Sequence, residues 1–320
     1  MHEVFLGLDI KVVDVFAGCG GFSLGFGKTV KAAIENHPQV VKTYMHNFPW
    51  VSVYPEDAKR ICGKVILEEL GEVDVVIGGP PCEPFTSMNK KRRRDPLDRL
   101  LSDPRGRLVM EFIRLVDELR PKIFVMENVH ELVEEPLGRM LKRFFARIGY
   151  EVYFNLIEAH RYGVPSKRYR VFISNIRLDL AGMEEEPKTV EEALAGLRSF
   201  GEIPNHVPVK IGKIRLRKLK RLRWGEALYT FRVSPNRVYR NWVRLHPKRV
   251  APTVHGRSRF VHPYEDRLLT VREHARLMSF PDNHVFLGGV KAQFDQVGEA
   301  VPPLLARKIA EVVFKELNKL

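Results

Sequence analysis

A cysteine that follows two prolines is the residue of this sequence best suited to covalent chemistry. Cys82 comes directly after Pro80 and Pro81, just beyond the apolar run 73–77 (VDVVI), which is typical of a buried strand. Because proline fixes the backbone angle φ, the two prolines stiffen the chain and hold the thiol in one place. Many buried cysteines only fill space, but a rigid thiol at a strand end favours a nucleophile. Cys82 is therefore the first candidate catalytic residue.

A carboxyl group follows another predicted strand. Glu127 and Asn128 come directly after the apolar run 122–126 (KIFVM). The carboxyl ends of neighbouring parallel strands meet at one edge of a sheet, so we expect Glu127 to face the same crevice as Cys82. There it could give or take a proton during a reaction. A lone Glu-Asn pair is more typical of a turn or a cap, so this interpretation depends on Cys82.

A glycine-rich segment follows the first predicted strand, the run 11–16 (KVVDVF). In residues 17–21 (AGCGG) the glycines permit a tight turn and a close approach of a ligand to the backbone. The segment matches neither the phosphate loop nor the G-x-G-x-x-G pattern of dinucleotide enzymes. Glu35 follows the next short apolar run, and its carboxylate could accept both hydroxyl protons of a ribose. The pattern favours a nucleoside cofactor without a phosphate, and a plain tight turn is the alternative.

Strand and helix patterns alternate through the first half of the chain. Apolar runs typical of strands cover residues 11–16, 73–77, 122–126 and 171–176. Amphipathic patterns typical of helices cover residues 106–119 and 136–148. Such alternation predicts an α/β fold with a doubly wound, mostly parallel sheet.

The alternation fades after residue 176, and an acidic stretch that ends in proline follows at 184–187. Short strand-like pieces and turns occupy the next part of the chain, before helical patterns return at 270–278 and 303–317. We therefore predict a second, smaller domain after the first. The predicted catalytic domain covers residues 1–176 and is completed by 290–320, and the smaller domain covers 177–289.

The positive charge of the chain is concentrated in one segment. The net charge is +14, and residues 201–262 hold 16 lysines and arginines against two acids, so the remainder is balanced. Aromatic residues such as Trp224, Phe231 and Trp242 are interleaved with these charges. Localised positive charge with aromatic side chains is typical of a surface that binds nucleic acid. A solvated basic face is the alternative interpretation.

The composition also excludes several classes of protein. The 320 residues contain no long apolar run, so we expect no transmembrane helix, and the N-terminus lacks the pattern of a signal peptide. The three cysteines indicate a reducing compartment, which we take to be the cytoplasm, and their spacing fits no metal site. Glutamine is rare, which favours a thermophilic source. We expect that source to be prokaryotic.

Six segments together resemble the motifs of the DNA (cytosine-5) methyltransferases, the C5-methyltransferase family, and they occur in that family's order. They are residues 14–25, 80–82, 127–129, 162–170 (YGVPSKRYR), 269–281 and 298–303 (GEAVPP). The resemblance extends nearly from end to end. It implies a Rossmann-like methyltransferase sheet and a smaller target-recognition domain.

The resemblance implies a reaction as well as a fold. A methyl group would pass from S-adenosyl-L-methionine to C5 of a cytosine that has been flipped out of duplex DNA. Cys82 would attack C6 of the ring, because an unactivated C5 is a poor nucleophile and a thiol adduct at C6 makes it an enamine. Glu127 would hold or protonate N3, and Arg170 would donate to O2. Arg168 belongs to the same arginine motif and completes the catalytic set.

The resemblance also implies two sets of binding residues. Glu35 would bind the ribose and Asp57 the adenine amino group. The full cofactor set is Phe16, Ala17, Gly18, Gly20, Gly21, Glu35, Asn36, Asp57, Ala58, Pro80, Leu108, Glu299 and Val301. The DNA set is Thr86, Lys90, Lys91, Arg92, Lys218, Lys220, Arg221 and Arg257. No metal ligands are implied.

Four positions depart from the family pattern. Glu83, Thr86, Ser166 and Glu299 stand where the family usually has Gln, Ser, Gln and Asn. Glu299 would lie nearest the cofactor. If it faced the cationic end of the cofactor it would strengthen binding, and if it pointed outward it would be a surface acid. We expect the outward orientation, because the family's pocket works with a neutral amide.

Three functions remain open on the sequence alone. The leading one is a monomeric enzyme that methylates duplex DNA, in a restriction–modification pair with a separate endonuclease. A tRNA cytosine-5 methyltransferase is the second, because that branch shares the Pro-Phe-Thr sequence found at residues 84–86. A nucleic-acid-binding protein that has lost its chemistry is the third, and the intact set of Cys82, Glu127 and Arg170 argues against it.

Overall fold

The computed structural model describes residues 10–89, 91–197, 199–234 and 237–320. The strands of its larger sheet are β1 (Val12–Val15), β2 (Val30–Ile34), β3 (Ser52–Tyr54), β4 (Val75–Gly78), β5 (Ile123–Asn128), β6 (Tyr153–Glu158) and β7 (Tyr169–Ser174). In the described residues these seven strands follow the order β3-β2-β1-β4-β5-β7-β6. The first five strands in this order are parallel to one another. Strand β7 is antiparallel to both of its neighbours, β5 and β6.

The central strands are buried because their residues are apolar and mostly β-branched. Every residue of β1, β4 and β5 is buried. Parallel strands that are covered on both faces show this nearly continuous apolar pattern. Between β1 and β4 the chain order of the sheet reverses, and ligands bind doubly wound sheets at such a crevice.

The helices, in chain order, are α1 (Gly21–Phe26), α2 (Pro38–Asn47), α3 (Gly63–Leu70), α4 (Pro96–Leu101), α5 (Leu108–Leu119), α6 (Leu137–Arg147), α7 (Val190–Leu194), α8 (Lys213–Leu219), α9 (Val271–Leu277), α10 (Val290–Glu299) and α11 (Pro303–Leu317). One face of the larger sheet is covered by α1 and α11, through side chains such as Phe22 and Ile309. The other face is covered by α5 and α6, through side chains such as Phe112 and Phe145.

A smaller sheet and several helices form a further hydrophobic cluster. The strands are β8 (Ala227–Ser234), β9 (Arg237–Arg244) and β10 (Phe260–Val261), with β9 between the other two. Side chains of α7, α9 and α10 pack into the same cluster, among them Leu277 and Phe294. Helix α10 therefore packs with the smaller sheet, whereas α11 packs against the larger one.

The predicted fold class is confirmed, and the differences lie at the ends of the elements. The predicted helix 303–317 coincides with α11. The predicted helix 106–119 begins two residues later, at Leu108, because Gly106 lies in a tight turn where a Cβ would come 1.7 Å from the carbonyl oxygen of Arg99. No helix among the described residues is long and apolar enough to cross a bilayer.

Candidate active site

Strands β4 and β5 bring the cysteine motif and the Glu127 motif to the same edge of the sheet. The two strands are parallel, and Gly78 at the end of β4 pairs with Met126 of β5. A Cβ placed on Gly79 would lie 3.5 Å from Glu127 Oε2, so the carboxyl group packs over the segment that leads to Cys82. The Asn128 side chain then ties the two segments together, because its Nδ2 donates to the carbonyl oxygen of Pro80 at 3.0 Å.

The carboxyl group of Glu127 is held beside two guanidinium groups. Strand β7 runs antiparallel to β5, which brings Arg170 and Arg168 next to Glu127. Arg170 Nε lies 3.1 Å from Glu127 Oε1, and Arg168 Nη2 lies 3.7 Å from the same oxygen. Glu127 is only 7% exposed. A buried carboxylate between two positive charges has a fixed position and a strong local field.

Arg168 is anchored from its other side by backbone carbonyl groups. Its Nη1 donates to the oxygen of Gly298 at 3.0 Å and of Val254 at 3.4 Å, and its Nη2 donates to the oxygen of Glu299 at 3.4 Å. Gly298 and Glu299 end α10, where carbonyl groups lack helical partners and attract positive charge. Burial and the positive charge of Arg170 together lower the pKa of Arg168 to about 9, so the guanidinium stays charged at neutral pH.

Cys82 is a protonated thiol at neutral pH in this structure. Burial raises its pKa to about 11, and the carboxylates of Glu127 and Glu83 contribute to the rise. Arg170 and Arg168 oppose it, since a positive charge stabilises a thiolate. The reactivity of the thiol therefore depends on the charges around it, and a change in the charge of Glu127 alters that balance.

The glycine-rich segment forms a loop that is fixed by Glu35. Phe16, Gly18 and Gly20 have positive φ angles of 61°, 57° and 85°. The Gly18 amide donates to Glu35 Oε2 at 3.0 Å, and the His37 amide donates to Oε1 at 2.8 Å. A Cβ on Gly18 would meet no atom within 4 Å, so there is room for a ligand beside this part of the loop.

On its other side, the glycine-rich segment and α1 lie against the backbone of residues 301–306. A Cβ on Gly21 would lie 2.4 Å from the oxygen of Val301. A Cβ on Gly25, one turn along α1, would lie 2.3 Å from the backbone of Ala306 in α11. Only glycine permits this approach of two backbones, so α1 and α11 fix each other's position.

The remaining cofactor candidates lie at the carboxyl edge of β3, β2, β1 and β4. Asp57 follows β3 and is half-buried, and its Oδ1 accepts from the Lys59 amide at 3.0 Å. Asn36 follows β2 and is exposed. Leu108 begins α5, on the connection between β4 and β5. The other members that the structure places at this edge are Phe16, Ala17, Gly20, Ala58 and Pro80.

Two of the positions that depart from the family pattern lie within electrostatic reach of each other. Glu299 is exposed as a residue. Poor solvation of its carboxyl group nevertheless raises its pKa to about 7, and the charges of Glu83, Asp295 and Glu35 add to the rise. Glu299 therefore interacts with the loop that holds Cys82 and with the acid that fixes the glycine-rich loop.

Replacement of Glu299 by glutamine should change the pH dependence of stability. Its pKa rises from 4.5 to about 7 on folding, so the native state binds the proton more tightly than the unfolded chain does. The stability that this proton contributes is fully present below the unfolded pKa and is lost as the pH rises through 7. Glu299→Gln should therefore gain melting temperature over wild type between about pH 5 and about pH 8. The control is Glu311→Gln, which changes an exposed acid on α11. If the difference in melting temperature between Glu299→Gln and wild type does not vary with pH, the raised pKa of Glu299 is contradicted.

The candidate DNA residues form two groups. Thr86, Lys91 and Arg92 lie in the loop after Cys82, where the Thr86 amide donates to the oxygen of Cys82 at 3.1 Å. Arg92 Nη1 donates to the oxygen of Phe85 at 2.9 Å, and Lys91 is exposed. Lys90 lies outside the described residues. The second group belongs to the smaller domain, and its members, all exposed, are Lys218, Lys220, Arg221 and Arg257.

Some positioning residues were absent from the residues expected from the sequence. The buried Asp14 accepts from the Ser23 hydroxyl, which also contacts the Tyr44 hydroxyl at 2.7 Å, so β1, α1 and α2 are joined beneath the glycine-rich loop. Asn128 and the backbone of Gly298 are two further examples. Asp14 and Asn128 lie inside the recognised motifs, and this location is the signal in the sequence that could have identified them. A backbone carbonyl carries no such signal.

Comparison with known proteins gives consistent results. The family model for C-5 cytosine-specific DNA methylase matches residues 10–315. A Methanocaldococcus jannaschii protein named as a type II methyltransferase is 48% identical over 321 residues, which cover 96% of this chain and 100% of the relative. The type II methyltransferase M1.HphI of Haemophilus parahaemolyticus is 35% identical, over 96% of this chain and 87% of its own length.

Solved structures show the same similarity. A crystal structure of a DNA modification methyltransferase encoded within an E. coli prophage is 27% identical to this chain, with a TM-score of 0.78. The alignment covers 97% of this chain and 99% of that one. The similarity therefore includes the smaller sheet as well as the larger one.

Proposed function

The chain belongs to the C-5 cytosine-specific DNA methylase family, and from that premise we propose that it methylates C5 of a flipped-out cytosine in duplex DNA through a covalent adduct of Cys82. The observation that carries this proposal is the common edge of β4 and β5. There the Cys82 loop and Glu127 lie side by side, with Arg170 Nε 3.1 Å from the carboxylate. A nucleophile, an acid–base group and a positive charge are the groups that this chemistry needs.

In the first step Cys82 adds to the cytosine ring. The thiol gives its proton to the Glu127 carboxylate, the sulfur electron pair forms the S–C6 bond, the C5–C6 π pair forms a C4–C5 double bond, and the C4–N3 π pair moves to N3. N3 takes a proton from the Glu127 carboxyl group, which leaves a neutral enamine with a nucleophilic C5. Because Glu127 raises the pKa of Cys82, neutralising that carboxylate favours the thiolate. Binding of the base at Glu127 and activation of Cys82 are therefore coupled.

The arginines have different roles in this proposal. Arg170 lies at the start of β7, beside Glu127, and donates to O2 of the cytosine. Arg168 is 3% exposed and is committed to the carbonyl groups of Gly298, Glu299 and Val254, so it is a positioning residue for Glu127. After methyl transfer N3 returns its proton to Glu127, and solvent takes the C5 proton. The C5–H electron pair restores the C5–C6 double bond as the S–C6 bond breaks, and Cys82 leaves as a thiolate that regains its proton from the Glu127 carboxyl group.

The residues at the carboxyl edge fit S-adenosyl-L-methionine, which when bound supplies a sulfonium methyl group to a carbon nucleophile. Each oxygen of Glu35 already accepts one backbone N–H and retains a lone pair for a ribose hydroxyl. The open space beside Gly18 accommodates a ligand against the loop. Asp57 would accept from the adenine amino group. The apolar side chains of Phe16, Pro80 and Leu108 would line the pocket.

Incubation with methyl-labelled S-adenosyl-L-methionine tests the proposal directly. We expect label to enter duplex DNA and not a tRNA transcript, and bisulfite sequencing of a methylated plasmid should show 5-methylcytosine at one recurring sequence. A duplex that carries 5-fluorocytosine should trap the enzyme as an adduct that resists denaturant, since the C5 fluorine cannot leave as a proton does. If label enters tRNA alone, the proposal is wrong and the chain is a tRNA cytosine-5 methyltransferase.

The basic segment should supply most of the affinity for DNA. Each phosphate that a protein neutralises contributes about −0.9 to the slope of log K against log salt. Replacing Lys218, Lys220 and Arg221 by alanine should therefore flatten that slope by roughly 2 to 3, with cofactor binding intact. The control removes three exposed lysines elsewhere: Lys64, Lys315 and Lys319. Equal slopes for the two triple variants would return this segment to a solvated basic face.

The biological setting is proposed from the names of the relatives. The Methanocaldococcus jannaschii and Haemophilus parahaemolyticus relatives are both named as type II methyltransferases. We therefore propose that this enzyme protects DNA against a separate cognate endonuclease. A monomer in a prokaryotic cytoplasm suits that role. Restriction of plasmid DNA by extracts of the source cell, and its prevention by prior methylation with this enzyme, would test it.

A further inference from the structure

Strands β8 and β9 form a ribbon that extends beyond the core of the smaller domain. Val243 and Arg244, near its base, are buried and pair with β10. Farther out the strands pair only with each other in the described residues, and the ribbon exposes Phe231 and Val238 to about half of their full area, at 50% and 49%. The outer part of the ribbon buries too little to contribute to the hydrophobic cluster, so its exposed side chains need another explanation.

The two faces of the ribbon differ. In antiparallel strands, directly paired residues share a face and successive pairs alternate. Phe231 pairs with Tyr239, and these rings and that of Tyr229 form a stacked row with centroids 6.3 and 6.4 Å apart. The ring centroid of Tyr239 lies 6.2 Å from that of His255, so this aromatic face packs against the rest of the smaller domain. The opposite face, here called the outer face, consists of the exposed residues Thr230, Arg232, Val238 and Arg240.

The outer face has the chemistry of a base-reading surface. An arginine fork can donate two hydrogen bonds to the major-groove edge of guanine, and the methyl groups of threonine and valine suit the thymine methyl. Residues 227–244 contain four arginines and no acid, so the ribbon is also complementary in charge to DNA. The pairs Arg232–Val238 and Thr230–Arg240 alternate donors and apolar groups along this face.

The dimensions of the ribbon favour duplex DNA over duplex RNA. Paired strands lie about 4.8 Å apart, and with side chains a ribbon fits the B-form major groove, which is about 12 Å wide. The major groove of A-form RNA is too narrow to admit it. Successive residues on one face are about 6.6 Å apart, or roughly two base-pair steps, so the outer face would span a site of a few base pairs.

The base of the ribbon is connected to the candidate active site. Asn241 Nδ2 donates to the oxygen of Arg257 at 3.0 Å, and the same side chain accepts from the Arg259 amide at 2.8 Å. The loop 254–259 then touches α10 so closely that a Cβ on Gly298 would lie 2.1 Å from the nitrogen of Gly256. Its Val254 carbonyl accepts from Arg168. The ribbon is thus held by the loop that positions the partner of Glu127.

Helix α8 lies beside the ribbon and offers a different kind of contact. The guanidinium of Arg215 in α8 lies 5.9 Å from the ring centroid of Trp242 in β9. Lys218 and Lys220 are exposed at the end of this helix, and an ammonium group on a flexible stem suits phosphate contact better than base reading. We infer that the outer face of the ribbon reads base pairs in the major groove, whereas α8 grips the flanking phosphates. This inference rests on the proposed activity on duplex DNA.

Charge-preserving variants separate reading from gripping. Arg232→Lys and Arg240→Lys retain the positive charge but lose the two-donor fork. Each should lower the discrimination for one base pair of the target by roughly tenfold or more, while affinity for unrelated duplex and its salt dependence stay unchanged. The matched control is Arg221→Lys near the end of α8, which should keep the wild-type preference. Bisulfite sequencing of a methylated pool of random duplexes measures the discrimination, and circular dichroism verifies the fold of each variant.

Each alternative outcome has a distinct meaning. If wild type methylates one sequence and both ribbon variants keep the same discrimination, the inference is wrong and the proposed activity stands. If the ribbon variants weaken binding to every duplex equally, the ribbon contacts phosphates and the inference is also wrong. If wild type labels tRNA and not duplex DNA, the proposed function fails and the inference fails with it.

Discussion

Cys82→Ala should lose cytosine methylation by more than about 10⁴-fold, the scale of loss seen when an enzyme's nucleophile is removed. Without the sulfur no adduct forms at C6, and the C5 carbon keeps the low nucleophilicity of an aromatic ring. Binding of DNA should persist, because the basic segment that carries the net charge is untouched. A single-turnover assay with labelled cofactor measures the loss, and a gel-shift assay measures the binding.

The chain provides a matched control for this substitution. Cys62 is also a free cysteine, and it is exposed at the start of α3. Cys62→Ala should retain both methylation and the denaturant-stable adduct with 5-fluorocytosine, whereas Cys82→Ala should lose both. Methylation by Cys82→Ala at a rate near that of wild type would exclude a covalent mechanism through this residue.

Glu127→Gln should slow methylation by roughly 10²- to 10⁴-fold, the usual contribution of an acid–base group. The amide cannot supply the proton that N3 needs when the adduct forms. The same change should speed alkylation of Cys82 by iodoacetamide at about pH 8, because the carboxylate of Glu127 raises the pKa of that thiol. Two rates that move in opposite directions distinguish a chemical role from a collapsed site.

Mass spectrometry of the alkylated enzyme resolves Cys82 from the other cysteines. Glu134→Gln, an exposed acid a few residues further along the chain, serves as the control and should leave both rates near those of wild type. If alkylation and methylation both slow in Glu127→Gln, the carboxylate maintains the shape of the site, and its role in proton transfer would have to be abandoned.

The sequence predicted the larger sheet because its strands are buried on both faces. The short, mostly apolar runs of β1, β4 and β5, which are rich in β-branched residues, favour buried strands, and a Pro-Pro-Cys or Glu-Asn sequence at their ends is then placed by topology alone. The ends of the elements were less certain. Predicted strand 171–176 is β7 at Tyr169–Ser174, and it is antiparallel to β5, which its composition could not indicate.

The anchoring of Arg168 could not be predicted from the sequence. Its acceptors are carbonyl groups of Val254, Gly298 and Glu299, and a carbonyl group is present in every residue. Only the glycine at position 298 carried a signal, since a side chain there would collide with Gly256. That signal says that two backbones approach closely but does not identify the partner.

The ribbon was also beyond prediction, for a different reason. Alternation of apolar and polar residues indicates a strand only when one face is buried and the other is solvated. In β8 and β9 one face carries aromatic rings and the other carries Arg232, Val238 and Arg240, so neither face is uniformly apolar or polar. The sequence accordingly suggested short strand-like pieces without a register.

The contact of Gly21 and Gly25 with the segment around Val301 and Ala306 determines when during synthesis the enzyme becomes active. A ribosome delivers the chain from its N-terminus at about 5–20 residues per second, so α11 emerges on the order of half a minute after the glycine-rich loop that it supports. Until then the loop lacks one wall, although the thiol and the basic segment already exist. A chain truncated before α11 should therefore bind DNA without methylating it, and methylation by a newly synthesised molecule should begin only once α11 has been made.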